Sequence, residues 1–368
     1  MAPDVLNNLD DHIRQARHAV EFLTSDFCPP VIDSIEFLSS SLAAQMVARD
    51  PYWPKWNSPW WHALLLGELQ LAALIPSRFW TQYKAIFEQH YLPFFPFREE
   101  EVPVGRDPLS SVACHCYLGS VMRLAAEIGP DSQISPGAQI GPGAQIRQVS
   151  FDLPQWTRDW WPRYQNADGG LNCDEGKYLK DNPTSSLVST APAVEALLAL
   201  KADDLSGPEL EFLDKAALYF VERKLMRGKR SGEIIDESWL EPAFPRFYHY
   251  DILRGLSLVT RWSLRRSRKL SKQVISEALG LVAQQVGENG LAPRRSHTAG
   301  LKSLLPKVEG GFELESGENG GYRRGEASRF ALLDYVDRPG TPNLPLTQEW
   351  LGLLLRLKYM SDSRLLAR

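Results

Sequence analysis

The chain has 368 residues, of which 43% are hydrophobic and 23% are charged. This composition is typical of a globular protein and excludes disorder as the dominant state. The 41 basic and 45 acidic residues give a net charge of −4, so no overall positive field would attract nucleic acid. The basic run 261–272 is typical of a solvated helix end, with a phosphate-binding or nucleic-acid role as the alternative.

Several features predict a cytoplasmic protein without an integral membrane segment. The beginning of the chain is too acidic and polar for a signal peptide, and no apolar run approaches the roughly 20 residues that a membrane-spanning helix needs. Cys28, Cys114, Cys116 and Cys173 form no CxxC pair and no dense framework. We therefore expect reduced thiols rather than disulfides.

The hydrophobic spacing is helical throughout, and alternating strand patterns are nearly absent. A polar residue followed by proline supports several helix starts, as at Ser58–Pro59 and Asp107–Pro108. The predicted helices cover residues 10–24, 32–49, 59–75, 78–90, 109–128, 153–163, 184–201, 208–227, 246–265, 271–287, 326–338 and 345–359.

The predicted helices are of two kinds, which alternate along the chain. Three segments are apolar almost all round and are expected to be buried, namely 59–75, 109–128 and 184–201. Segments such as 208–227 carry a polar stripe and should face water. An inner ring of helices surrounded by an outer ring would bury the apolar helices and leave the polar stripes of the others in water. The pattern predicts an all-α fold, a single (α/α)-toroid domain of about six helical hairpins over 1–368.

Two long loops are predicted to interrupt this domain, at about 130–150 and 305–326. The first contains SPGAQI followed at once by GPGAQI, and two such units are too few for a stacked β-helix. The second is rich in glycine. Long loops in a compact domain are often lids over a cavity.

The segment RYQNADGGLNC at 163–173, followed by a buried helix, resembles the Q-x-x-D-G-G repeat of squalene cyclases and protein prenyltransferases. Its two glycines would allow a tight turn between an outer and an inner helix. The chain is more similar to small bacterial single-domain relatives of those α/α-toroid proteins. The motifs that carry this similarity are KWNS at 55–58, FYHYDILR at 247–254 and SRF at 328–330.

This resemblance covers about residues 50–360 and implies a toroid with a central cavity. It implies a terpenoid-cyclase-like enzyme of natural-product biosynthesis, a cyclase, isomerase or lyase that acts on an apolar small molecule. The D-x-D-D acid motif of the cyclases is absent, and the zinc ligands of the prenyltransferases are not recognisable. Because likeness of fold does not transfer an activity, the catalytic groups must be sought among this chain's own residues.

The candidate catalytic residues lie in and just before the segment 246–254. An apolar cavity would keep the Asp251 carboxyl protonated, as a proton donor requires, and His249 could orient it or act as a base. Glu241, in the preceding acidic loop, could share the acid and base roles. The alternatives are an Asp251–Arg254 ion pair, a His249 satisfied by its neighbours and an exposed loop.

The candidate substrate-binding residues are aromatic, imidazole and cationic side chains near the predicted starts of inner helices. Aromatic faces can hold a cation or an apolar chain, and arginine can hold a polar head group. The set comprises Trp60, Trp61, His62, His115, Phe247, Tyr248, Arg254 and Arg329. The alternatives are core packing for the aromatic residues and carboxylate pairing for Arg329.

No metal or other cofactor is expected. On a helix, the side chains of Cys114 and His115 diverge by about 100°, and those of Cys114 and Cys116 by about 200°, so these residues cannot chelate zinc by themselves. A zinc site would need Cys173 or a histidine such as His249 from another segment.

Three functions are compatible with the sequence. The first is acid-initiated cyclisation, isomerisation or elimination of an apolar small molecule in an aromatic-lined cavity. The second is a non-catalytic toroid that binds a ligand or a protein, in which the cavity carboxylates are salt-bridged. The third is a carbohydrate-active α/α-barrel lyase or hydrolase. A dry aromatic cavity would favour the first, a plugged centre the second and an open polar groove the third.

Overall fold

The computed structural model describes residues 5–128, 153–306 and 322–367, and these are mostly helical, as predicted. The α-helices are α1 (Leu9–Asp26), α2 (Val31–Ser39), α3 (Ser41–Arg49), α4 (Pro59–Glu68), α5 (Ser77–His90), α6 (Pro108–Ser111), α7 (His115–Ile128), α8 (Trp156–Tyr164), α9 (Leu187–Ala199), α10 (Gly207–Glu222), α11 (Ile252–Arg266), α12 (Lys272–Ala283), α13 (Ala331–Val336) and α14 (Leu344–Asp362). The short strands are β1 (Leu270–Ser271), β2 (Val286–Gly287), β3 (Gly290–Leu291), β4 (Lys302–Pro306), β5 (Tyr322–Glu326) and β6 (Leu366–Ala367).

Local capping breaks or shortens several predicted helices. The segment 32–49 forms two helices because Ser40 adopts an extended conformation and its hydroxyl caps α3. The helix predicted over 246–265 begins only at Ile252, since the Asp251 carboxylate accepts a backbone N–H of the first turn. The residues from Arg246 to Asp251 therefore form a loop, and the helical spacing assumed for His249 and Asp251 was wrong.

The helix predicted over 109–128 is also divided. Residues 112–114 lie outside any helix, between α6 and α7. Cys114 therefore precedes α7, whereas Cys116 is in its first turn. The divergence expected from helical spacing does not apply to this pair.

At the two ends of the glycine-rich loop predicted at 305–326, β4 and β5 pair antiparallel, and residues 307–321 lie outside the described residues. The loop predicted at about 130–150 lies almost wholly outside the described residues. In the described ranges, no helix combines the length and the apolar character that a membrane crossing requires.

Five helices, α4, α7, α9, α11 and α14, contact one another in chain order. Helix α4 contacts α7, α7 packs along α9, α9 contacts α11, and α11 contacts α14. Gly119 of α7 lies so close to α9 that a β-carbon at this position would be 2.5 Å from the backbone of Pro192. This contact fixes the separation of α7 and α9, whose first turns lie beside the candidate site.

One cluster of buried apolar side chains extends through the described residues from Val5 to Met360. Trp60 stacks on Tyr83 with ring centroids 5.3 Å apart, and the exposed fractions of Trp60 and Trp61 are 0% and 1%. Burying a large apolar side chain stabilises a protein by roughly 1.5–3 kcal/mol. Both tryptophans are therefore core residues, which was the alternative to their prediction as walls of a substrate cavity.

Candidate functional site

Three cysteines from two parts of the chain meet at the start of α7. The Sγ atoms of Cys114, Cys116 and Cys173 lie within 4.8 Å of one another, and 3.2 Å separates those of Cys114 and Cys116. All three residues are half-buried. We call this group the tri-cysteine cluster. The expectation that Cys114 and Cys116 diverge was wrong, because Cys114 is not helical.

A tight turn brings Cys173 to α7. Gly169 has a φ of +91°, which favours glycine, and Asp168 holds the turn by an ion pair with Arg223 at 3.1 Å. The backbone N–H of Cys173 donates to the hydroxyl of Ser189 in the first turn of α9, at 3.0 Å. The Gly-Gly turn thus places the Cys173 thiol beside the first turns of α7 and α9.

His115 connects the two halves of the cluster. The indole N–H of Trp160 donates to Nδ1 at 2.9 Å, and an indole can only donate. Neutral His115 therefore carries its proton on Nε2, which is 3.0 Å from the Tyr178 hydroxyl. The same hydroxyl accepts the backbone N–H of Asn172 at 3.1 Å. Both ring nitrogens are occupied, and these contacts are those of a residue that positions its neighbours. The predicted role of His115 in substrate binding has no support in them.

The pKa values of the Cys173 and Cys116 thiols are shifted in opposite directions. Hydrogen bonds from Cys114 and Cys116 lower the pKa of Cys173 well below its usual value, against the opposing effect of burial. Hydrogen bonding to Cys114 and Cys173 raises the pKa of Cys116. Negative charge is thus concentrated on Cys173. Thiolates are the soft ligands that zinc and other thiophilic metals prefer, so these residues could hold a metal ion.

Lys55 and Tyr248 form a hydrogen-bonded pair near the cluster. The Lys55 Nζ donates to the Tyr248 hydroxyl at 2.9 Å. The ammonium lies 4.4 Å from the centroid of the Tyr248 ring and 5.3 Å from that of Trp53, which allows cation–π attraction. Both partners are half-buried. The aromatic side chains around Lys55 thus hold its cation in one place.

Burial lowers the pKa of Lys55, while the electrostatic effect of Cys116 and Cys114 opposes this shift. The cluster and the ammonium are therefore close enough to act on each other electrostatically. Lys55 was predicted only as part of the KWNS motif, without a chemical role. A lysine between tryptophans, in WPKW at 53–56, is the signal that could have found it.

Of the residues predicted from the segment 246–254, Tyr248 and His249 lie at this site. Phe247 is 1% exposed and stacks on Trp56 at 5.0 Å, so it belongs to the core. The His249 ring stacks on His297 at 4.6 Å, and the Nε2 atoms of both have no hydrogen-bond partner among the described residues. Burial, with the His297 charge second, lowers the pKa of His249 to about 3. His249 is therefore a neutral imidazole at physiological pH.

Asp251 does not have the surroundings of a proton donor. Its carboxylate is completely buried and lies 2.6 Å and 3.2 Å from the Arg246 guanidinium. It also accepts the backbone N–H groups of Arg254 and Ala243, at 2.8 Å and 3.1 Å. These contacts are those of an ion pair and a helix cap, which corrects the predicted catalytic role. The side chain of Arg254 pairs with Glu195 instead.

Three further predicted residues are held by structural partners. They are Glu241, paired with Arg294; His62, hydrogen-bonded to Ser34; and Arg329, paired with Asp334 and Asp337. His62 is 5% exposed and stacks on Phe330 at 3.7 Å, so it packs in the core. Arg329 satisfies the alternative of carboxylate pairing. The predicted roles of these residues in catalysis or substrate binding therefore have no support in their contacts.

A cavity of about 420 Å³ is lined by residues of α4, α7, α9, α11 and α14. Its charged wall residues are Glu68, Glu127, Glu195, Glu349, Arg123, Arg246, Arg254, Arg261 and Arg356. Several of these are joined in ion pairs, Glu195 with Arg254 and Glu349 with Arg246. We call this space the central cavity. Its wall is polar, whereas the sequence predicted an aromatic one.

Comparison with protein-family models, with curated proteins and with solved structures found no match in any of the three. The resemblance to bacterial toroid proteins therefore stays a prediction. What the chain does must follow from its own side chains.

Proposed function

We propose that the chain is a metal-dependent enzyme whose tri-cysteine cluster holds a zinc ion with one open coordination position. The observation that carries the proposal is the convergence of three Sγ atoms within 4.8 Å. Structural zinc sites have four protein ligands, whereas catalytic sites have three and keep a position for water or substrate. His115 is adjacent to two of the cysteines, but its ring nitrogens are engaged by Trp160 and Tyr178. It therefore does not complete a closed site.

We infer that Lys55 and Tyr248 transfer protons at this site. Zinc makes a bound water or a bound substrate heteroatom easier to deprotonate. The Lys55–Tyr248 pair, at 2.9 Å, offers an amine and a hydroxyl that can accept or return such a proton. The neighbouring Trp53 ring would contact an apolar part of the substrate. For this site we keep the predicted substrate class, an apolar small molecule, because aromatic rings surround Lys55, although the wall of the central cavity is polar. A bound metal would supply the activation once expected of Asp251.

The predicted toroid is part of this proposal. Two observations support it, the contacts of α4, α7, α9, α11 and α14 in chain order and the cavity that all five helices line. A closed ring would place the first turns of α7 and α9 at one mouth, with the tri-cysteine cluster beside them.

Elemental analysis combined with native mass spectrometry tests the metal. We expect one zinc ion per chain, and at least a tenfold lower zinc affinity in Cys173→Ser and in Cys114→Ser. Cys28→Ser is the matched control, because Cys28 is an exposed free cysteine and its loss should leave zinc binding unchanged. A folded wild-type protein that takes up no zinc when zinc is supplied would refute the proposal.

A second candidate function is ligand binding without chemistry. The specific observation in its favour is that cavity carboxylates are salt-bridged, as with Glu195 and Arg254. Under this hypothesis a small molecule copurifies in the central cavity and is recovered unchanged after incubation of the zinc-loaded protein. Conversion of that molecule would favour the enzyme.

A further inference from the structure

We propose that the central cavity binds the oxyanion of a small organic molecule, a phosphate or carboxylate group, through Arg261 and Arg356. Arg261 belongs to α11 and Arg356 to α14, and both line the central cavity. Both also line an adjoining cavity of about 470 Å³, together with Arg265, one helical turn beyond Arg261. The two guanidinium groups thus stand where the two spaces meet.

The other cations of the cavity wall have carboxylate partners, but these two do not. Within the described residues, neither Arg261 nor Arg356 has a carboxylate oxygen within the 4.0 Å of an ion pair. Arg261 donates to the backbone carbonyl of Leu198 at 3.2 Å. Arg356 donates to the hydroxyls of Ser257 and Thr260 at 2.9 Å and 3.3 Å. Because a guanidinium has five N–H donors, both side chains keep donors for a ligand.

Burial destabilises the charged forms of Arg261 and Arg356 when no anion lies between them. Burial lowers the pKa of Arg356 to about 10, and the charge of Arg261 acts in the same direction against the opposing charge of Glu349. Burial likewise lowers the pKa of Arg261. An anion between them would offset the desolvation of both charges.

The same cavity contains other buried polar atoms that lack a partner. Among the described residues, Arg123 Nε and Glu127 Oε2 have no hydrogen bond, although the two side chains approach to 3.8 Å as an ion pair. Buried polar groups in native proteins nearly always find a protein, water or ligand partner. These atoms could serve the polar remainder of a molecule whose oxyanion contacts Arg261 and Arg356.

An oxyanion fits the donors and the space. The planar fork of arginine matches carboxylate and phosphate oxygens, often with two parallel hydrogen bonds. A cavity of about 420 Å³ is within the usual size of small-molecule sites. The run 261–272 is typical of a solvated helix end, with a phosphate-binding or nucleic-acid role as the alternative. The structure instead directs Arg261 and Arg265 to the cavities, while Arg266 and Arg268 pair with Asp214.

Isothermal titration with inorganic phosphate and with citrate tests this inference, with ionic strength held constant by chloride. We expect saturable binding of at least one anion, weakened at least tenfold by Arg261→Gln and by Arg356→Gln. Arg227→Gln is the matched control, since Arg227 pairs with Glu277 away from the cavity wall. Cys114→Ser should retain anion binding, because this inference holds whether or not the tri-cysteine cluster is catalytic.

The comparison between variants is needed because phosphate also stabilises folded proteins by exclusion from their surfaces. Saturable binding that is equal in the wild type and both cavity variants, or no saturable binding of either anion, would overturn the inference. Tighter phosphate binding would identify a phosphate ester as the ligand class, and tighter citrate binding a carboxylate.

A measurement on the wild-type protein covers the case in which a variant fails to fold. Phenylglyoxal modifies accessible guanidinium groups, and peptide mass spectrometry locates the modified residues. The bound anion should slow modification of Arg261 and Arg356 several-fold and leave Arg227 unchanged. Equal modification with and without anion would count against the site.

Discussion

Asp251 and Arg246 form a buried ion pair in which Nε lies 2.6 Å from Oδ2. The pair closes the loop between Arg246 and the start of α11, and this loop carries Tyr248 and His249. Arg246 also pairs with Glu349 of α14. The carboxylate that the sequence offered as an acid therefore fixes the loop that presents other residues to the site.

Replacing Asp251 by asparagine should destabilise the protein by about 3–5 kcal/mol, the usual cost of removing one partner of a buried ion pair. Asparagine can still cap α11, so the loss should come from the Arg246 guanidinium, which would keep only Glu349 as a carboxylate partner among the described residues. Urea unfolding measures the effect. Glu277→Gln removes one partner of a more exposed pair and should cost about 1 kcal/mol or less. Equal stability of Asp251→Asn and the wild type would show that the ion pair is not structural.

Gly119→Ala should lower both stability and zinc affinity. The added methyl group would lie 2.5 Å from the Pro192 backbone, and overpacking of this kind costs about 1–3 kcal/mol. Moving α7 away from α9 would also separate Cys116 from Cys173. Gly207→Ala is the matched control, because nothing lies within 4 Å of a β-carbon there. If both variants unfolded at the same urea concentration, the close contact of α7 with α9 at Gly119 would not be what determines the stability.

In the metal-free protein, Cys173 should react with iodoacetamide at a rate that changes little between pH 8 and pH 6. Its pKa is lowered by hydrogen bonds from Cys114 and Cys116, so the reactive thiolate persists as the pH falls. The double variant Cys114→Ala, Cys116→Ala should make alkylation at position 173 fall steeply with pH, since alanine removes both hydrogen-bond donors that stabilise the thiolate. Peptide mass spectrometry follows each cysteine separately. A steep pH dependence of Cys173 in the wild type would contradict the charge distribution described above.

The free energy of unfolding should fall as the pH is lowered from about 6.5 towards 4. Burial lowers the pKa of His115 to about 4 and that of His62 to about 3, below the ordinary value of about 6.5. The unfolded chain therefore binds more protons in this window, and acid favours unfolding. For His115 alone, the free energy of unfolding should fall by about 3 kcal/mol once the folded protein also binds the proton.

Urea unfolding of the metal-free protein at pH 7.5, 6 and 5 measures this dependence. His62→Gln should reduce the acid-induced loss, because one buried imidazole no longer has to stay neutral. His18→Gln, on the exposed face of α1, should leave the loss as it is. A free energy of unfolding that does not change across this range would show that the histidines become charged without cost.

The sequence predicted one of the three apolar helices closely, but the helix predicted over 59–75 ends at Glu68 and the helix predicted over 109–128 is divided. The apolar segment at 184–201 appears as α9, and the capping residues before α10 start it within one residue of the expected position. The prediction failed at residues 112–114 and 246–251, where buried side chains and local turns satisfy the backbone. Apolar periodicity does not distinguish such loops from the helices beside them.

The candidate site was predicted only in part. Tyr248 and His249 lie where an inner-helix start was expected to present them, but the cluster depends on contacts between distant segments. Cys173 reaches α7 through the Asp168 turn, and nothing in the local sequence of Cys114 indicates that partner. The proposed role of Arg261 was equally invisible, since only the structure shows that no carboxylate oxygen among the described residues lies within the 4.0 Å of an ion pair with it.

Cys116 and Glu127 stand at opposite ends of α7, eleven residues and therefore about 16 Å apart. Substitutions separated by more than about 7–10 Å usually have additive effects. Helix α7 thus has the Cys116 thiol at one end and part of the charged wall of the central cavity at the other, with mostly apolar residues between them. Mutation or design could therefore change the side chains at one end of α7 while the other end keeps its own, so the two ends of this helix can be altered independently.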